Sequence, residues 1–225
     1  MNGGIEREVR VQAGSVTLDG ALGLPQRPIG AVLFAHGSGS SRFSPRNNYV
    51  ARVLREAGLA TLLLDLLTAE EEEVDLVTRH LRFDIRLLAE RLVGAADWLA
   101  SFDPTRGLGI GTFGSSTGAA AALVTAAARP ELVRAVVSRG GRPDLAGDAL
   151  TRVQAPTLLL VGSRDEEVIE LNEEAMARMH APCELRIVQG ATHLFEEPGT
   201  LEEVARLAAA FFAEQLGTFA QPAAP

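Results

Sequence analysis

Residues 108–128 read LGIGTFGSSTGAAAALVTAAA. The apolar run at 108–113 predicts a buried strand, and the small residues of 119–128 predict a helix that packs closely against a sheet. The turn between them, residues 114–118, has the form G-x-S-x-G. In such a turn the central serine has a strained backbone, and a side chain at either glycine would collide with the neighbouring strand and helix. This placement predicts Ser116 as a nucleophile; the alternative is an ordinary helix N-cap.

Outside this stretch, short apolar runs alternate with helical patterns. The other predicted strands cover residues 31–35, 60–64, 135–137, 157–161 and 184–188, the last alternating more, as an edge strand would. The other predicted helices cover residues 47–57, 81–99, 166–179 and 201–215. This alternation predicts an α/β fold: a mostly parallel central sheet with helices on both faces. Residues 8–12 and 16–24, around a turn at 13–15, predict an N-terminal antiparallel hairpin.

Composition limits the class of protein. The chain has 225 residues, 47% of them apolar and 22% charged, which predicts a single globular domain over 1–225 with a frayed tail at 218–225. Cys183 is the only cysteine, which excludes an internal disulfide and a cysteine-based zinc site. A net charge of -8 disfavours nucleic acid as a partner. The charged N-terminus disfavours a signal peptide, and no apolar run reaches the ~18 residues of a membrane span. We expect a cytoplasmic monomer or homodimer without membrane association.

Partners for Ser116 follow other predicted strands. In a parallel sheet, ligand sites gather at the carboxyl ends of the strands. Asp165 follows the strand at 157–161, and His193 follows the one at 184–188. The order Ser116, Asp165, His193 predicts a catalytic triad in which His193 accepts the serine proton and Asp165 orients the imidazole. The alternatives are an N-cap role for Asp165 and a surface role for His193.

The tetrahedral intermediate of acyl transfer needs hydrogen-bond donors for its oxyanion. One predicted donor is the N–H of Thr117, directly after the nucleophile, and the other is the N–H of Ser38. Ser38 lies in the glycine-rich turn 36–41, which also contains His36. His36 suits such an oxyanion loop better than the role of base. A phosphate cradle is the alternative for this turn, but it lacks the G-K-[ST] ending of a P-loop.

Three arginines, Arg42, Arg139 and Arg142, follow predicted strands. One interpretation is that they pair with nearby acids such as Asp144 and Asp148. The other is that Arg42 or Arg139 binds a substrate carboxylate through its guanidinium fork.

Two further segments bear on the shape of this edge. Residues 140–151 are too short for a substantial lid domain, which predicts a minimal lid and a preference for short acyl chains. Residues 70–73 are four consecutive glutamates. They predict a solvated loop or helix start, with a metal or cationic-partner site as the alternative.

The stretches HGSGSSRFSPRN (36–47), GTFGSSTGAAAAL (111–123) and GATHLFEEPG (190–199) together resemble the α/β-hydrolase superfamily. The chain is most similar to its dienelactone-hydrolase-like branch, in the group whose members are sometimes fused to a phosphoribosyltransferase domain. The resemblance implies an α/β-hydrolase fold, a triad of Ser116, His193 and Asp165, and oxyanion donors at Ser38 and Thr117. It implies no cofactor or metal. True dienelactone hydrolases use a cysteine nucleophile, so lactone specificity is not carried over to a chain with serine there.

These observations predict a serine hydrolase that cleaves small carboxylic esters through an acyl-enzyme intermediate. Two alternatives remain open. The same triad could serve an acyltransferase or perhydrolase, or the chain could be a non-catalytic binding protein on the same fold.

Overall fold

A computed structural model describes residues 5–217, and one mixed sheet of eight strands runs through this part of the chain. The strands are β1 (Ile5–Ala13), β2 (Val16–Leu24), β3 (Gly30–Ala35), β4 (Leu59–Leu64), β5 (Ile110–Ser115), β6 (Val133–Arg139), β7 (Thr157–Gly162) and β8 (Cys183–Val188). Their order across the sheet is β1-β2-β4-β3-β5-β6-β7-β8. Only the pairings β1–β2 and β2–β4 are antiparallel among these strands. The predicted hairpin and the mostly parallel sheet are confirmed, while the predicted tail at 218–225 lies outside the described residues.

Helices cover both faces of the sheet, as predicted. They are α1 (Pro45–Glu56), α2 (Ala69–Thr78), α3 (Ile85–Ser101), α4 (Thr117–Ala128), α5 (Glu166–Arg178) and α6 (Thr200–Gly217). The two faces separate along β3, where Val32 and Phe34 pack with α1 and α6, and Leu33 and Ala35 pack with α3 and α4. No helix within residues 5–217 is long and apolar enough to cross a membrane.

The central strands are buried on both faces because helices cover each side. Every residue of β3, β4, β5 and β7 is buried. This explains why their sequences are continuous apolar runs rather than alternating ones. In contrast, β8 has exposed residues along its length and lies at the end of the sheet, which confirms the prediction of an edge strand.

The prediction of one helix over residues 81–99 is wrong at the start of that range. Leu81–Phe83 form a separate 3-10 turn, and α3 begins at Ile85. Asp84 is the N-cap, and its Oδ1 accepts a 3.0 Å hydrogen bond from the N–H of Leu87. The apolar period runs through the break because Leu81 still packs against the core next to α3.

The glutamate run begins a helix, which is one of the two forms predicted for it. Thr68 caps α2, since its Oγ1 accepts from the N–H of Glu71 at 3.2 Å. The Glu71 carboxylate in turn accepts from the N–H of Thr68 at 2.8 Å, completing a capping box. Glutamates in the first turn also lie favourably in the helix dipole.

The segment after β6 is compact, which confirms the minimal lid. Pro143–Arg152 forms 3-10 turns that meet at Gly147, where φ is 56°. Ala146, Ala149 and Leu150 pack against the buried alanines of α4. The segment therefore packs along α4 and adds no separate lid domain.

Candidate active site

Ser116 lies in a strained turn between β5 and α4. Its backbone has φ 51° and ψ -125°, a region that non-glycine residues rarely adopt. Glycine is required on each side of Ser116, at positions 114 and 118, because neither position has room for a side chain. A Cβ on Gly114 would lie 2.4 Å from Ala119 Cα, and one on Gly118 would lie 2.3 Å from the carbonyl oxygen of Ala35. The structure thus contains the close approaches predicted for G-x-S-x-G.

Neighbouring loops fix the Ser116 backbone. Its N–H donates to the carbonyl of Arg139 at 3.4 Å, and its own carbonyl accepts from the N–H of Arg142 at 3.1 Å. On the opposite side, a Cβ on Gly37 would lie 3.1 Å from Ser116 Cβ. The serine is therefore held between the loop after β3 and the loop after β6.

His193 and Asp165 form a hydrogen-bonded pair. His193 Nδ1 lies 2.6 Å from Asp165 Oδ2. Because a carboxylate can only accept, Nδ1 carries the proton and donates it, which leaves Nε2 as the nitrogen available to act as a base. The imidazole is 39% exposed and the carboxylate 16%, so the pair lies at the surface of a cleft.

Two hydrogen bonds join the loops that carry this pair to each other. The N–H of Arg164 donates to the carbonyl of Ala191 at 3.0 Å. The N–H of Gly190 donates to Ser163 Oγ at 2.9 Å. These two bonds fix the residues just before Asp165 relative to those just before His193.

Asp165 does not cap the helix that it precedes. α5 begins at Glu166, but the Asp165 side chain makes no capping hydrogen bond and binds His193 instead. Glu166 and Glu167 are exposed in the first turn of α5, where they favour the helix dipole. The geometry therefore favours Asp165 as the partner of His193.

His36 supports the loop after β3 through both of its ring nitrogens. Nε2 accepts a 3.2 Å hydrogen bond from the N–H of Leu66, and Nδ1 lies 2.9 Å from the carbonyl oxygen of Gly37. Burial lowers the pKa of His36, which favours the neutral ring that this pattern requires. The other two histidines, His80 and His180, are exposed.

The two predicted oxyanion donors lie next to each other. Thr117 is the first residue of α4, so its N–H has no acceptor within the helix. The N–H of Ser38 donates to Thr117 Oγ1 at 3.1 Å. Sequence reasoning missed this contact between a backbone donor and the hydroxyl of the other donor residue.

Ser116 and His193 open onto the same cavity, which has a volume of about 230 Å³. Ser38 and Arg139 line it as well. The remaining lining residues are Gly37, Ser40, Ser44, Arg46, Ser115, Gly140 and Leu194. The structure therefore brings the predicted nucleophile, base, loop donor and one predicted substrate arginine to one place.

Arg42 and Arg142 are paired with acids. The Arg42 side chain pairs with Asp65, whose Oδ1 also accepts from the Arg42 N–H at 2.7 Å. Arg142 binds Asp144 through two bonds of 2.9 and 2.8 Å, as predicted. Asp148 pairs with Arg178 instead, at 3.3 Å.

Cys183 is not among the residues that line the cavity of Ser116 and His193. Within residues 5–217, no group of three or more His, Cys, Asp or Glu side chains is placed to hold a metal ion. Cys183 lies at the start of β8, and burial raises the pKa of its thiol to about 11. At neutral pH it is therefore an uncharged thiol, not a thiolate nucleophile.

The order of the strands and helices, with a strained turn at residues 114–118 after β5, is that of an α/β-hydrolase fold. The sequence model of the dienelactone hydrolase family matches residues 18–222. The chain belongs to the dienelactone hydrolase family.

Solved structures agree with this assignment. The crystal structure of dienelactone hydrolase from Anabaena variabilis is 60% identical, with a TM-score of 0.93 over 95% of this chain and 99% of that one. Est1E from Butyrivibrio proteoclasticus has a TM-score of 0.76 over 92% of this chain and 98% of its own, at 18% identity. At that identity the likeness shows the fold alone.

Curated relatives are longer proteins. A Mycobacterium tuberculosis (strain H37Rv) protein named "Putative phosphoribosyl transferase" is 59% identical over 211 residues. The match covers 94% of this chain and 47% of the relative. The chain thus spans about half the length of the curated relatives it matches.

Proposed function

We propose that this chain is a serine hydrolase that cleaves small carboxylic esters with a triad of Ser116, His193 and Asp165. The observation that carries the proposal is the 2.6 Å contact of His193 Nδ1 with Asp165 Oδ2, beside the cavity that also contains Ser116. Ser116 has the strained backbone, at φ 51°, that a nucleophile turn requires.

The mechanism is acyl transfer in two halves. Ser116 Oγ attacks the carbonyl carbon while its proton passes to His193 Nε2, and Asp165 stabilises the imidazolium that forms. The N–H of Thr117 donates to the oxyanion, and the N–H of Ser38 does so by exchanging its present acceptor, the Thr117 hydroxyl, for the oxyanion. Collapse of the intermediate expels the alcohol, which takes the proton from His193. Water then attacks the acyl-enzyme by the same route and releases the acid, without a cofactor or metal.

The two arginines predicted to contact substrate receive different roles. Arg42 is held by Asp65, which favours a structural role in the loop that contains Ser38. Arg139 lines the cavity of Ser116 and His193, so we retain it as the substrate contact. The proposed partner is a small-molecule ester, and the chain acts as a monomer or homodimer in the cytoplasm without nucleic acid or membrane.

The name of the longer relatives does not change this proposal. The dienelactone hydrolase family model covers residues 18–222, so we assign hydrolase chemistry to the region that this chain shares with them. The turn at 36–41 lacks the P-loop ending, and its loop packs over Ser116. This favours an oxyanion loop over a phosphate cradle.

Labelling with a fluorophosphonate probe tests the nucleophile. The wild type and Ser115→Ala are expected to be labelled and to hydrolyse p-nitrophenyl acetate. Ser116→Ala is expected to lose labelling and on the order of 10³-fold or more in kcat, with an unchanged circular dichroism spectrum. Labelling that survives in Ser116→Ala but disappears in Ser115→Ala would show that Ser115, and not Ser116, is the nucleophile. A wild type that neither labels nor turns over would favour the non-catalytic binding protein.

Product analysis separates hydrolysis from the other acyl transfers. With water competing against added alcohols and hydrogen peroxide, a hydrolase releases mainly the free acid. Predominant transfer to an alcohol would indicate an acyltransferase, and predominant peracid formation would indicate a perhydrolase.

A further inference from the structure

Arg139 is a buried arginine without a counter-ion. It ends β6 and is 8% exposed. Its Nη1 atom is buried and has no hydrogen-bond partner, and no acidic side chain among residues 5–217 forms an ion pair with it. Burial, followed by the positive charge of Arg46, lowers the pKa of the guanidinium to about 10, so it remains charged at neutral pH. A buried charge without a partner is costly, and proteins seldom retain one without a use.

The surrounding arginines show that acids are available nearby. Arg142, three residues further along, holds Asp144 through two hydrogen bonds. Arg46 pairs with Glu196 at 2.9 Å, and the latter is 62% exposed. Arg139 is therefore left unpaired in a neighbourhood where the other cations have partners.

The position of Arg139 links it to the proposed chemistry. Its carbonyl accepts from the N–H of Ser116, and the residue lines the 230 Å³ cavity together with Ser116 and His193. Arg46 lines the same cavity. Two positive charges thus border a small space next to the nucleophile, in a chain whose net charge is -8.

We propose that Arg139, assisted by Arg46, binds an anionic oxygen group of the substrate, so that the natural substrates are small esters carrying a carboxylate or a phosphate. This inference rests on the proposed serine hydrolase function and adds the charge of the substrate to it. A guanidinium presents parallel N–H donors that match either oxyanion group.

Arg46 has a different part in this site. Its present partner, Glu196, lies in the loop that follows His193 and is largely exposed, so the ion pair contributes little to stability. An anionic substrate would replace the Glu196 carboxylate on Arg46 while supplying Arg139 with its first counter-ion. Arg139 is therefore expected to contribute more to selectivity than Arg46.

Matched esters test the charge preference. The substrates are mono-p-nitrophenyl succinate and p-nitrophenyl 3-phosphonopropanoate, each compared with its neutral methyl-ester counterpart. In the wild type, at least one anionic ester is expected to exceed its neutral counterpart in kcat/KM by about tenfold or more. In Arg139→Met this ratio is expected to fall by about tenfold or more, with partial recovery in Arg139→Lys, which keeps the charge but loses the fork. Arg46→Gln is expected to lower the ratio less.

Arg178→Met is the matched control. Arg178 is an exposed arginine on α5 whose partner is Asp148, so its loss is expected to leave the ratio unchanged. The two anionic esters distinguish a carboxylate from a phosphate as the preferred group. Neutral esters hydrolysed as fast as the anionic ones, or a ratio that survives Arg139→Met, would overturn the inference.

Inhibition of the wild type provides a test that needs no variant. Glutarate or 3-phosphonopropionate is expected to inhibit hydrolysis of p-nitrophenyl acetate competitively, and more strongly than neutral glutaramide. Equal inhibition by all three up to about 10 mM would argue against an anion site. If the proposed serine hydrolase function were wrong, the result would be different: neither the charged nor the neutral esters would show turnover that depends on Ser116.

Discussion

The backbone N–H of Ser38 donates to Oγ1 of Thr117 over 3.1 Å, and this bond joins the loop after β3 to the first residue of α4. The two residues that share it are the proposed oxyanion donors. The Thr117 hydroxyl therefore holds the Ser38 loop beside α4 before substrate binds, and the oxyanion then replaces it as the acceptor of the Ser38 N–H. Preorganised donors of this kind account for a large part of the rate enhancement in acyl transfer.

Thr117→Val is expected to lower kcat by roughly tenfold with little change in KM, because the Ser38 loop loses the bond that positions it. Thr117→Ser keeps the hydroxyl and is expected to remain close to the wild type. Steady-state kinetics with p-nitrophenyl acetate measure both. A faster Thr117→Val enzyme would show instead that the hydroxyl competes with the oxyanion for the Ser38 N–H.

Asp165→Asn is expected to reduce kcat by on the order of 10³–10⁴-fold, because an amide no longer selects the tautomer with the proton on Nδ1 of His193. Circular dichroism is expected to stay unchanged, since Asp165 makes no capping bond to α5. Glu167→Gln is the control for a neighbouring carboxylate. If Glu167→Gln proved as damaging as Asp165→Asn, the assignment of the acid would be wrong.

Acyl-chain length is expected to limit turnover. The cavity beside Ser116 has a volume of about 230 Å³, and the segment Pro143–Arg152 packs on α4 without forming a lid over it. Each methylene adds about 0.8 kcal/mol only if it is actually buried. p-Nitrophenyl acetate and butyrate are expected to have a higher kcat/KM than the palmitate ester. Faster hydrolysis of palmitate would refute this.

The free energy of unfolding is expected to fall as the pH decreases below 6.5, the ordinary pKa of a histidine, in part because of His36. Burial lowers the folded-state pKa, so in this window the unfolded chain binds a proton that the folded chain does not. The contribution is fully present above pH 6.5 and is lost as the pH falls toward the folded-state pKa.

Urea unfolding at pH 7.5 and 5.5 measures this effect. In His36→Gln, which cannot titrate, the difference between the two pH values is expected to be smaller than in the wild type. His180→Gln, at an exposed position, is the control and is expected to leave the difference unchanged. An unchanged difference in His36→Gln would show that other groups produce the acid sensitivity.

Local sequence was enough to predict the parts of this protein that depend on contiguous residues. The doubly buried strands appear as continuous apolar runs because helices cover both faces of the sheet. The turn around Ser116 is recognisable because Gly114 and Gly118 leave no space for a Cβ. Strand order along the chain was also enough to bring Asp165 and His193 to the same edge, where they meet at 2.6 Å.

Tertiary structure alone decided which residues far apart in the chain pair with each other. Ser38 and Thr117 are 79 residues apart and Arg46 and Glu196 are 150 apart, so no local pattern pairs them. The same holds for the arginines: Asp65 is available to Arg42 because β4 lies beside β3, whereas Arg139 ends β6 and pairs with no acidic side chain among residues 5–217. Which charge is neutralised and which is left for a ligand depends on the spatial order of the strands, because an ion pair requires charged groups within a few ångströms whatever their separation in sequence.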